Sequence, residues 1–420
     1  MSLQFITGNS GNGKTKYLFN RIVKEAKANP RDNYLVIVPE QFTMQTQRQL
    51  VDLSENKAIM NIDVLSFKRL AYRVFDELGI TNLTVLEETG KNLVLRKLAA
   101  QEADKLGVIG RNLNRIGYIS EVKSLLSELV QYNISPEELG RYIASGRLSD
   151  TLSDKLKDVL VLYEAFEKFM QDKYITAEEI LNVLSNVAEE SAILRNSVIA
   201  FDEFTGFTPI QNQLIKKLFV ISKKIYVTLT IDCREDIFKS RGMQELFDMP
   251  KRTVKSLTEM AAFYGIEVEE PIILDKNYRL AENEELSFME QQLFRKRRCS
   301  FKKAPKHIHI DCLRDPKQEL TKIARRINEL VRNENLRYRD IAIVTGDVNI
   351  YAGYVREIFD KYNIPYFIDA TQEILFHPFI EFIRSIPDIA AQNFSADAVF
   401  RFLRCGFSEL LDSEIDVLEN

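Results

Sequence analysis

The sequence contains no tryptophan, three histidines and four cysteines among its 420 residues. The cysteines are far apart and form no C-x-x-C pair, which excludes the spacing of a disulfide framework or a cysteine metal site. We interpret them as reduced thiols of a cytoplasmic protein, and the histidines as structural. No apolar stretch reaches the length of a membrane span, and no secretory signal is recognisable.

An excess of positive charge is also missing. The chain has 57 Lys and Arg against 61 Asp and Glu, a net charge of −4. It therefore has no overall attraction for nucleic acid, and any such binding needs local basic patches. Twenty-six Phe and sixteen Tyr provide rings for stacking as well as for cores. The length predicts two to four domains.

The strongest motif lies in the first sixteen residues. A strand is predicted at Leu3–Thr7 and a helix at Lys16–Ala28. Between them, Gly8–Thr15 fits the pattern G-x-x-x-x-G-K-[ST] at every fixed position. The pattern predicts a phosphate-binding loop, and hence a site for ATP and Mg²⁺.

Each residue type in this motif has a chemical reason. Glycines let the backbone N–H groups wrap a phosphate, because a side chain would block that approach. The lysine reaches the β- and γ-phosphates, the hydroxyl ligates Mg²⁺, and the following helix points its positive dipole end at the nucleotide. The predicted nucleotide-binding residues are Gly8, Gly11, Gly13, Lys14 and Thr15.

A second apolar strand, Ser197–Phe201, ends in two carboxylates. In phosphate-loop enzymes such a pair lies opposite the loop, where Asp202 would hold Mg²⁺ and Glu203 would orient or deprotonate the attacking water. Acidic residues commonly end strands, so the pair alone is a weak signal. Together with the glycine-rich loop it becomes a strong one. We therefore predict catalytic roles for Lys14, Asp202 and Glu203.

A third feature interleaves basic and aromatic residues. Strands predicted at Asn33–Val38 and Ile62–Leu65 are followed by Glu40–Gln45 and by Ser66–Arg73. Cations for phosphate and rings for bases are what single-stranded DNA binding requires. The alternative is an amphipathic helix with Phe67 in the core, and the sequence leaves both open.

Periodicity divides the chain further. Helical patterns dominate from Glu87 to Lys173, whereas strand signals return at Lys224–Ile231 and a second α/β pattern begins after residue 270. In that pattern we predict strands at His307–Cys312, Asp340–Thr345 and Pro365–Ile368, and helices at Lys317–Val331 and Tyr351–Lys361. The predicted domains are a first α/β domain in residues 1–80 and 191–270, a helical insertion in 81–190, a second α/β domain in 271–372 and a truncated second helical insertion in 373–420.

The order of these blocks resembles that of superfamily 1 helicases, and most closely the AddB (RexB) subunits of bacterial AddAB helicase–nucleases. The similar segments are Gly8–Thr15, Pro39–Thr43, Ser66–Ala71, Asp202–Pro209 and Asn277–Arg279. The resemblance covers the whole chain but only the N-terminal part of that family's length. It implies a RecA-like phosphate-loop core with a large helical insertion and a second RecA-like half.

The resemblance also implies functional roles. Arg279 would occupy the arginine-finger position of the helicase Asn-Tyr-Arg motif, the alternative being a helix cap. The residues placed at single-stranded DNA are Gln41, Thr43, Phe67 and Tyr72. The family processes DNA double-strand breaks for recombinational repair, together with an AddA-like helicase–nuclease partner subunit. This part of AddB-like subunits is associated with recognising the Chi sequence.

Two departures from active helicases matter. The glutamine expected two residues after Asp-Glu is replaced by Thr205, and the segment Thr230–Arg234 lacks the Gly-Asp-x-x-Gln block. Since both glutamines couple nucleotide to DNA, we predict ATP binding without motor activity. The family's nuclease site and iron–sulfur cluster would lie beyond Asn420. The rival hypothesis is a stand-alone phosphate-loop NTPase or kinase acting on a small molecule.

Overall fold

The computed structural model describes residues 1–81, 84–108, 110, 116–145, 148–171, 174–295, 299–369 and 374–419. They form two compact units, Met1–His307 and Ile308–Asn420. From the sequence we predict a boundary after residue 270. A short strand at Ile272–Leu274 instead pairs with the first strand of the chain, so this region belongs to the first unit.

A parallel sheet of seven strands, counted within the described residues, forms the centre of the first unit. The strands of the unit are β1 (Ser2–Gly8), β2 (Tyr34–Ile37), β3 (Ile62–Leu65), β4 (Val85–Leu86), β5 (Ile175–Thr176), β6 (Val198–Phe201), β7 (Lys224–Thr230), β8 (Glu267–Val268) and β9 (Ile272–Leu274). In the sheet the order is β3-β2-β6-β7-β1-β8, and β9 also pairs with β1. Strands β4 and β5 form a separate parallel pair.

Helices cover both faces of this sheet, as parallel sheets require. Their bounds within the first unit are α1 (Lys14–Ala28), α2 (Thr43–Leu53), α3 (Phe67–Leu78), α4 (Glu88–Gln101), α5 (Ile116–Gln131), α6 (Pro136–Ala144), α7 (Asp150–Met170), α8 (Ile180–Val187), α9 (Pro209–Ile221), α10 (Asp248–Phe263) and α11 (Glu284–Gln292).

The strand residues alternate between two apolar cores because successive side chains point to opposite faces. Leu3 and Phe5 of β1 lie in the core that includes α3, α8, α9 and α10. Ile6, on the other face, packs with Leu18 and Phe19 of α1. This burial on both faces explains why the strand segments read as continuous apolar runs rather than as alternating patterns.

Parallel pairing brings the ends of distant strands to one edge of the sheet. β7 lies between β1 and β6, and all three run in the same direction. The loop after β1 and the residues after β6 therefore emerge at the same carboxyl edge. Ligands of open α/β sheets bind at this edge.

The helical segment between β4 and β5 has an apolar core of its own. It is formed by α4, α5, α6 and α7, with Leu95, Leu126, Leu162 and Phe166 among its buried residues. By contrast, α8 packs into the core of the main sheet through Ile180 and Leu184. The helices between β4 and β5 thus share an apolar core that is distinct from the two cores of the main sheet.

The second unit contains helices joined by irregular segments, and no strand occurs among its described residues. Leu320 and Ala324 of its first helix pack against Ile358 and Phe359 of the next. The helices are α12 (Pro316–Asn333), α13 (Asn349–Lys361), α14 (Pro378–Ala391), α15 (Ala396–Leu403) and α16 (Asp412–Glu419).

The three strands predicted for the second α/β domain do not occur among the described residues. Each segment contains an apolar side chain that is almost fully exposed, namely Ile310, Val344 and Phe367. A parallel strand needs hydrogen-bonding neighbours and cover on both faces. Apolar composition alone therefore mispredicted these segments, although α12 and α13 lie where helices were expected.

Candidate functional site

The glycine-rich loop Gly8–Thr15 joins β1 directly to α1. Gly11 and Gly13 have φ angles of 86° and 79°, in the left-handed region that favours glycine. At Gly8 the constraint is space, because an added Cβ would lie 2.6 Å from the carbonyl oxygen of Leu274. The glycines of the motif thus lie where the backbone conformation, or the closeness of a neighbouring residue, favours glycine.

Lys14 is folded back onto this loop. Its Nζ atom donates to the carbonyl oxygens of Gly8 and Asn9, both at 3.0 Å. Burial lowers the pKa of Lys14, and nearby Arg279 lowers it further, while Glu203 and Asp202 raise it. The ammonium group is thus held at the loop by acceptors that a phosphate could replace.

Asp202 and Glu203 follow β6 and lie opposite the loop. The hydroxyl of Thr15 is 3.3 Å from Oδ1 of Asp202 and 3.3 Å from Oε1 of Glu203. From β7, the hydroxyl of Thr228 donates to the same Oδ1 of Asp202. The structure therefore brings Lys14, Thr15, Asp202 and Glu203 together, as predicted.

The environment of Asp202 is unusual for a carboxylate. Its side chain is 1% exposed, and Oδ2 is buried without a hydrogen-bond partner among the described residues. Burial raises its pKa, and the neighbouring Glu203 raises it further, against the hydrogen bond from Thr228. A buried carboxylate oxygen without a partner is destabilising unless a cation or proton meets it.

These oxygens suit a magnesium ion. Mg²⁺ is commonly bound through one or two carboxylates and the phosphates of a nucleotide. The free Oδ2 of Asp202 and the adjacent Thr15 hydroxyl fit that chemistry. No group of three or more His, Cys, Asp or Glu that could hold a metal ion by itself occurs among the residues the structure describes.

Glu203 has a backbone φ of 64°, which is uncommon for a residue with a side chain. Such a conformation costs of order 1–3 kcal/mol and is frequent at functional sites. The following residue, Phe204, packs edge-on against Phe67 with ring centroids 5.5 Å apart. Packing beyond the site therefore helps to hold Glu203 in this conformation.

Arg279 reaches the glycine-rich loop from the segment after β9. Its Nη1 atom lies 3.4 Å from the hydroxyl oxygen of Ser10. Tyr278, next to it, is largely exposed and lies over Gly13. Both residues line an open cavity of about 710 Å³ that also contains Lys14, Thr15, Asp202 and Glu203. Arg279 thus lies at the site, not at the start of a helix.

The structure separates the predicted DNA-contacting residues into two groups. Gln41 is exposed, and Tyr72 is 39% exposed. Thr43 is 6% exposed, and its hydroxyl donates to the carbonyl of Glu40. Phe67 is 7% exposed and stacks on Phe201 in the core. Phe67 therefore fits the alternative of an amphipathic helix with this residue in the core. Its ring is not available for stacking on a base.

The two segments that carry these residues are linked. Ser66 Oγ donates to one carboxylate oxygen of Glu40, and Arg69 Nε donates to the other at 3.2 Å. The neighbouring strands β2 and β3 end at the same edge of the sheet. In these linked segments Gln41, Lys68 and Tyr72 are each exposed.

At the two positions that depart from active helicases, the structure shows internal contacts. The carbonyl of Thr205 accepts from the hydroxyl of Thr253 at 3.1 Å. Asp232 is buried and accepts from Arg234 Nε at 2.9 Å and from Arg295 at 2.7 Å. Despite the cost of burial, these guanidinium groups hold the pKa of Asp232 well below its usual range. The segment Thr230–Arg234 is thus fixed by ion pairs.

Two polar residues at the site have partners that the sequence does not indicate. Asn9 occupies a variable position of the motif, yet its amide donates to Glu290 at 2.7 Å and its Oδ1 accepts from the backbone N–H of Cys233 at 3.3 Å. Asn277 contacts the loop at Ser10. Such long-range partners follow from the fold and not from residue spacing.

The fold and site define an α/β protein with a glycine-rich loop at the carboxyl edge of a parallel sheet, facing two carboxylates. Residues 5–290 match the family described as "ADDB, N-terminal". Because this match covers more than half of the chain, the chain belongs to that family, and the predicted resemblance is confirmed.

Full-length similarity to individual proteins agrees with the family. The chain is 38% identical to a protein of Lachnoclostridium phytofermentans that is named as a subunit of an ATP-dependent helicase/deoxyribonuclease. It is 33% and 34% identical to the proteins of the same name from Clostridium tetani and Caldanaerobacter subterraneus. Each comparison covers 100% of this chain but only 36–37% of the relative. The chain thus spans little more than a third of the length of these relatives.

No helix in the described part of the chain has the length and apolar character needed to cross a membrane.

Proposed function

We propose that this chain binds ATP with Mg²⁺ at Gly8–Thr15. It would form the N-terminal helicase-like region of a helicase–nuclease subunit that processes DNA double-strand breaks for recombinational repair. The observation that carries the nucleotide proposal is the meeting of Lys14, Thr15 and the unpaired Oδ2 of Asp202 at one edge of the sheet. The proposed role in DNA repair is supported by the names of the relatives, which call them ATP-dependent helicase/deoxyribonuclease subunits.

The roles of the residues follow from their chemistry. On binding, Lys14 would exchange its two backbone carbonyls for the β- and γ-phosphate oxygens. Thr15 and Asp202 would hold Mg²⁺, which neutralises phosphate charge when bound. Glu203 would orient a water, and Arg279 would contact the γ-phosphate. The exposed ring of Tyr278 offers a stacking surface at the same cavity.

We further propose that single-stranded DNA passes over the surface formed by Gln41, Lys68 and Tyr72. This surface combines a hydrogen-bonding amide, a cation and a ring, the groups that contact single strands. Scanning for a Chi-like sequence would take place there. Thr43 and Phe67, being buried, would support the surface from beneath.

The assembly is likewise a proposal. The relatives are named as subunits, which implies that those proteins have a partner, and we propose an AddA-like subunit for this one. The part of the relatives that this chain does not cover would contain the nuclease site. Such a complex would act in the cytoplasm on bacterial DNA.

Calorimetric titration of ATP with Mg²⁺ into the wild-type chain and Lys14→Ala tests the nucleotide site. Wild type should bind and the variant should not, while both keep the same thermal midpoint. Equal affinities would overturn the proposal. A titration with single-stranded DNA at two salt concentrations tests the wider function, because phosphate contacts release counterions and make affinity fall with salt. A chain that binds ATP but shows no DNA affinity would favour a small-molecule kinase or NTPase.

A further inference from the structure

The segment between β9 and α11 folds directly onto the glycine-rich loop. The backbone N–H of Tyr278 donates to the carbonyl of Gly11 at 3.0 Å, and that of Arg279 approaches the same oxygen at 3.4 Å. No room is left between the loop and this segment. A Cβ added at Gly11 would lie 2.7 Å from Oδ1 of Asn277 and 2.8 Å from Cβ of Arg279.

Asn277 makes three hydrogen bonds at this contact. Its Oδ1 accepts from the backbone N–H groups of Arg279, at 3.1 Å, and Leu280, at 3.0 Å. Its Nδ2 donates to the carbonyl of Ser10 at 2.9 Å. One side chain therefore both shapes the turn that carries Arg279 and ties this turn to the loop.

We infer that Asn277 is a positioning residue: it places Arg279 over the glycine-rich loop and thereby sets the preference of the site for a nucleoside triphosphate over a diphosphate. The inference rests on the proposed nucleotide function and extends it to the discrimination of the third phosphate. Asn277 itself would touch no nucleotide.

The physical argument concerns the freedom of Arg279. Its side chain is exposed, and its one hydrogen bond among the described residues is the long contact to Ser10 at 3.4 Å. A free arginine side chain loses about 2 kcal/mol of rotamer entropy when it is fixed. Fixing the backbone turn beforehand removes part of the remaining ordering cost, which is the general benefit of preorganisation.

Electrostatic repulsion between Arg279 and Lys14 would displace the turn if it were not held in place. Arg279 lies close enough to Lys14 to oppose the charge on that ammonium group. Two cations that converge on one small space repel each other until an anion lies between them. By keeping Arg279 in place despite this repulsion, Asn277 makes the site more favourable for the additional charge of a third phosphate.

The test compares ATP and ADP, each with Mg²⁺, by calorimetry on the full chain. The variants are Asn277→Ala, Arg279→Ala and the double variant. We expect Asn277→Ala to reduce the ATP-over-ADP affinity ratio about tenfold, as for a lost hydrogen bond to a charged group, with little change in ADP affinity. In the Arg279→Ala background the same change should have no further effect, because Asn277 acts through Arg279.

Asn283→Ala is the matched control. Asn283 also accepts a backbone N–H three residues on, from Leu286 at 3.0 Å, but it caps α11 and does not touch the loop. Its removal should leave the nucleotide ratio unchanged. If Asn277→Ala fails to fold, Asn277→Asp replaces it. This variant keeps the acceptor for the turn but cannot donate to Ser10. It should still lower the ATP-over-ADP affinity ratio severalfold.

The outcomes separate the two proposals. If wild type binds neither nucleotide, the proposed function fails. If wild type prefers ATP and Asn277→Ala keeps that ratio, or lowers it equally in the Arg279→Ala background, this inference alone is overturned. Equal wild-type affinity for ATP and ADP would also overturn it, since Arg279 would then not sense the third phosphate.

Discussion

The hydroxyl of Thr15 lies 3.3 Å from Oδ1 of Asp202, although 187 positions separate the two residues in the chain. β7 connects them, because it lies between β1 and β6 and its Thr228 donates to the same carboxylate. The candidate site therefore depends on the order of strands in the sheet. A change that disturbed β7 would separate the loop from its carboxylates.

The burial of Asp202 predicts a conflict between stability and binding. Asp202→Asn should raise the free energy of unfolding by about 0.5–2 kcal/mol at pH 8 without nucleotide, because it removes a buried charge at a functional site. The same substitution should abolish the Mg²⁺ dependence of ATP binding. Thermal melts and calorimetry on one preparation measure both effects. A less stable Asp202→Asn protein would contradict the account of this carboxylate.

The pH dependence of that difference has a definite sign. The pKa of Asp202 is raised in the folded state, so the folded protein binds the proton more tightly than the unfolded chain. The stability of the wild type relative to Asp202→Asn should therefore increase as pH falls through the raised pKa. Melts of both proteins at a series of pH values from pH 8 downward would reveal this convergence. A gap that widens on acidification would contradict it.

Phe67 and Tyr72 should respond differently to truncation. Phe67→Ala should lower the free energy of unfolding by about 3–5 kcal/mol, because its ring is in the core against Phe201 and Phe204. Tyr72→Ala should leave stability nearly unchanged and lower the affinity for single-stranded DNA by about 1–3 kcal/mol. Tyr72→Phe, which keeps the ring, serves as the control and should retain the affinity. A destabilised Tyr72→Ala protein with normal DNA affinity would show that Tyr72 is structural.

Local signals predicted the first unit well. The strand predicted at Ile62–Leu65 has the same bounds in the structure, and the buried strands around it are apolar on both faces, which gives a clear sequence signal. The motif Gly8–Thr15 and the pair Asp202-Glu203 were recognisable because their chemistry allows few residue types. Parallel topology then brought them together.

Other features could not be read from local sequence. His307–Cys312 and Asp340–Thr345 have strand-like composition, but pairing depends on neighbours that composition does not reveal. Phe67 fits an amphipathic helix as well as a stacking site, and only the cluster with Phe204 and Phe207 distinguishes the two. Asn277 is a common turn residue, and its contact with Ser10 depends on β9 pairing with β1.

We expect this chain to bind ATP without acting as a motor. By the resemblance, Thr205 and the segment Thr230–Arg234, with its ion-paired Asp232, lie where active helicases carry the glutamines that couple nucleotide to DNA. We propose that Lys14 and Arg279 meet the phosphate charge, and related enzymes with the arginine finger supplied in cis turn over at only about 10⁻² s⁻¹.

Steady-state ATP turnover by the wild-type chain, with and without saturating single-stranded DNA, tests this claim most directly, with Lys14→Ala as the control for contaminating activity. We expect a rate on the order of 10⁻⁴–10⁻² s⁻¹, the range of related enzymes with no arginine finger or with one supplied in cis. DNA should leave this rate unchanged. Turnover that DNA accelerates to helicase-like rates and that Lys14→Ala abolishes would contradict the account.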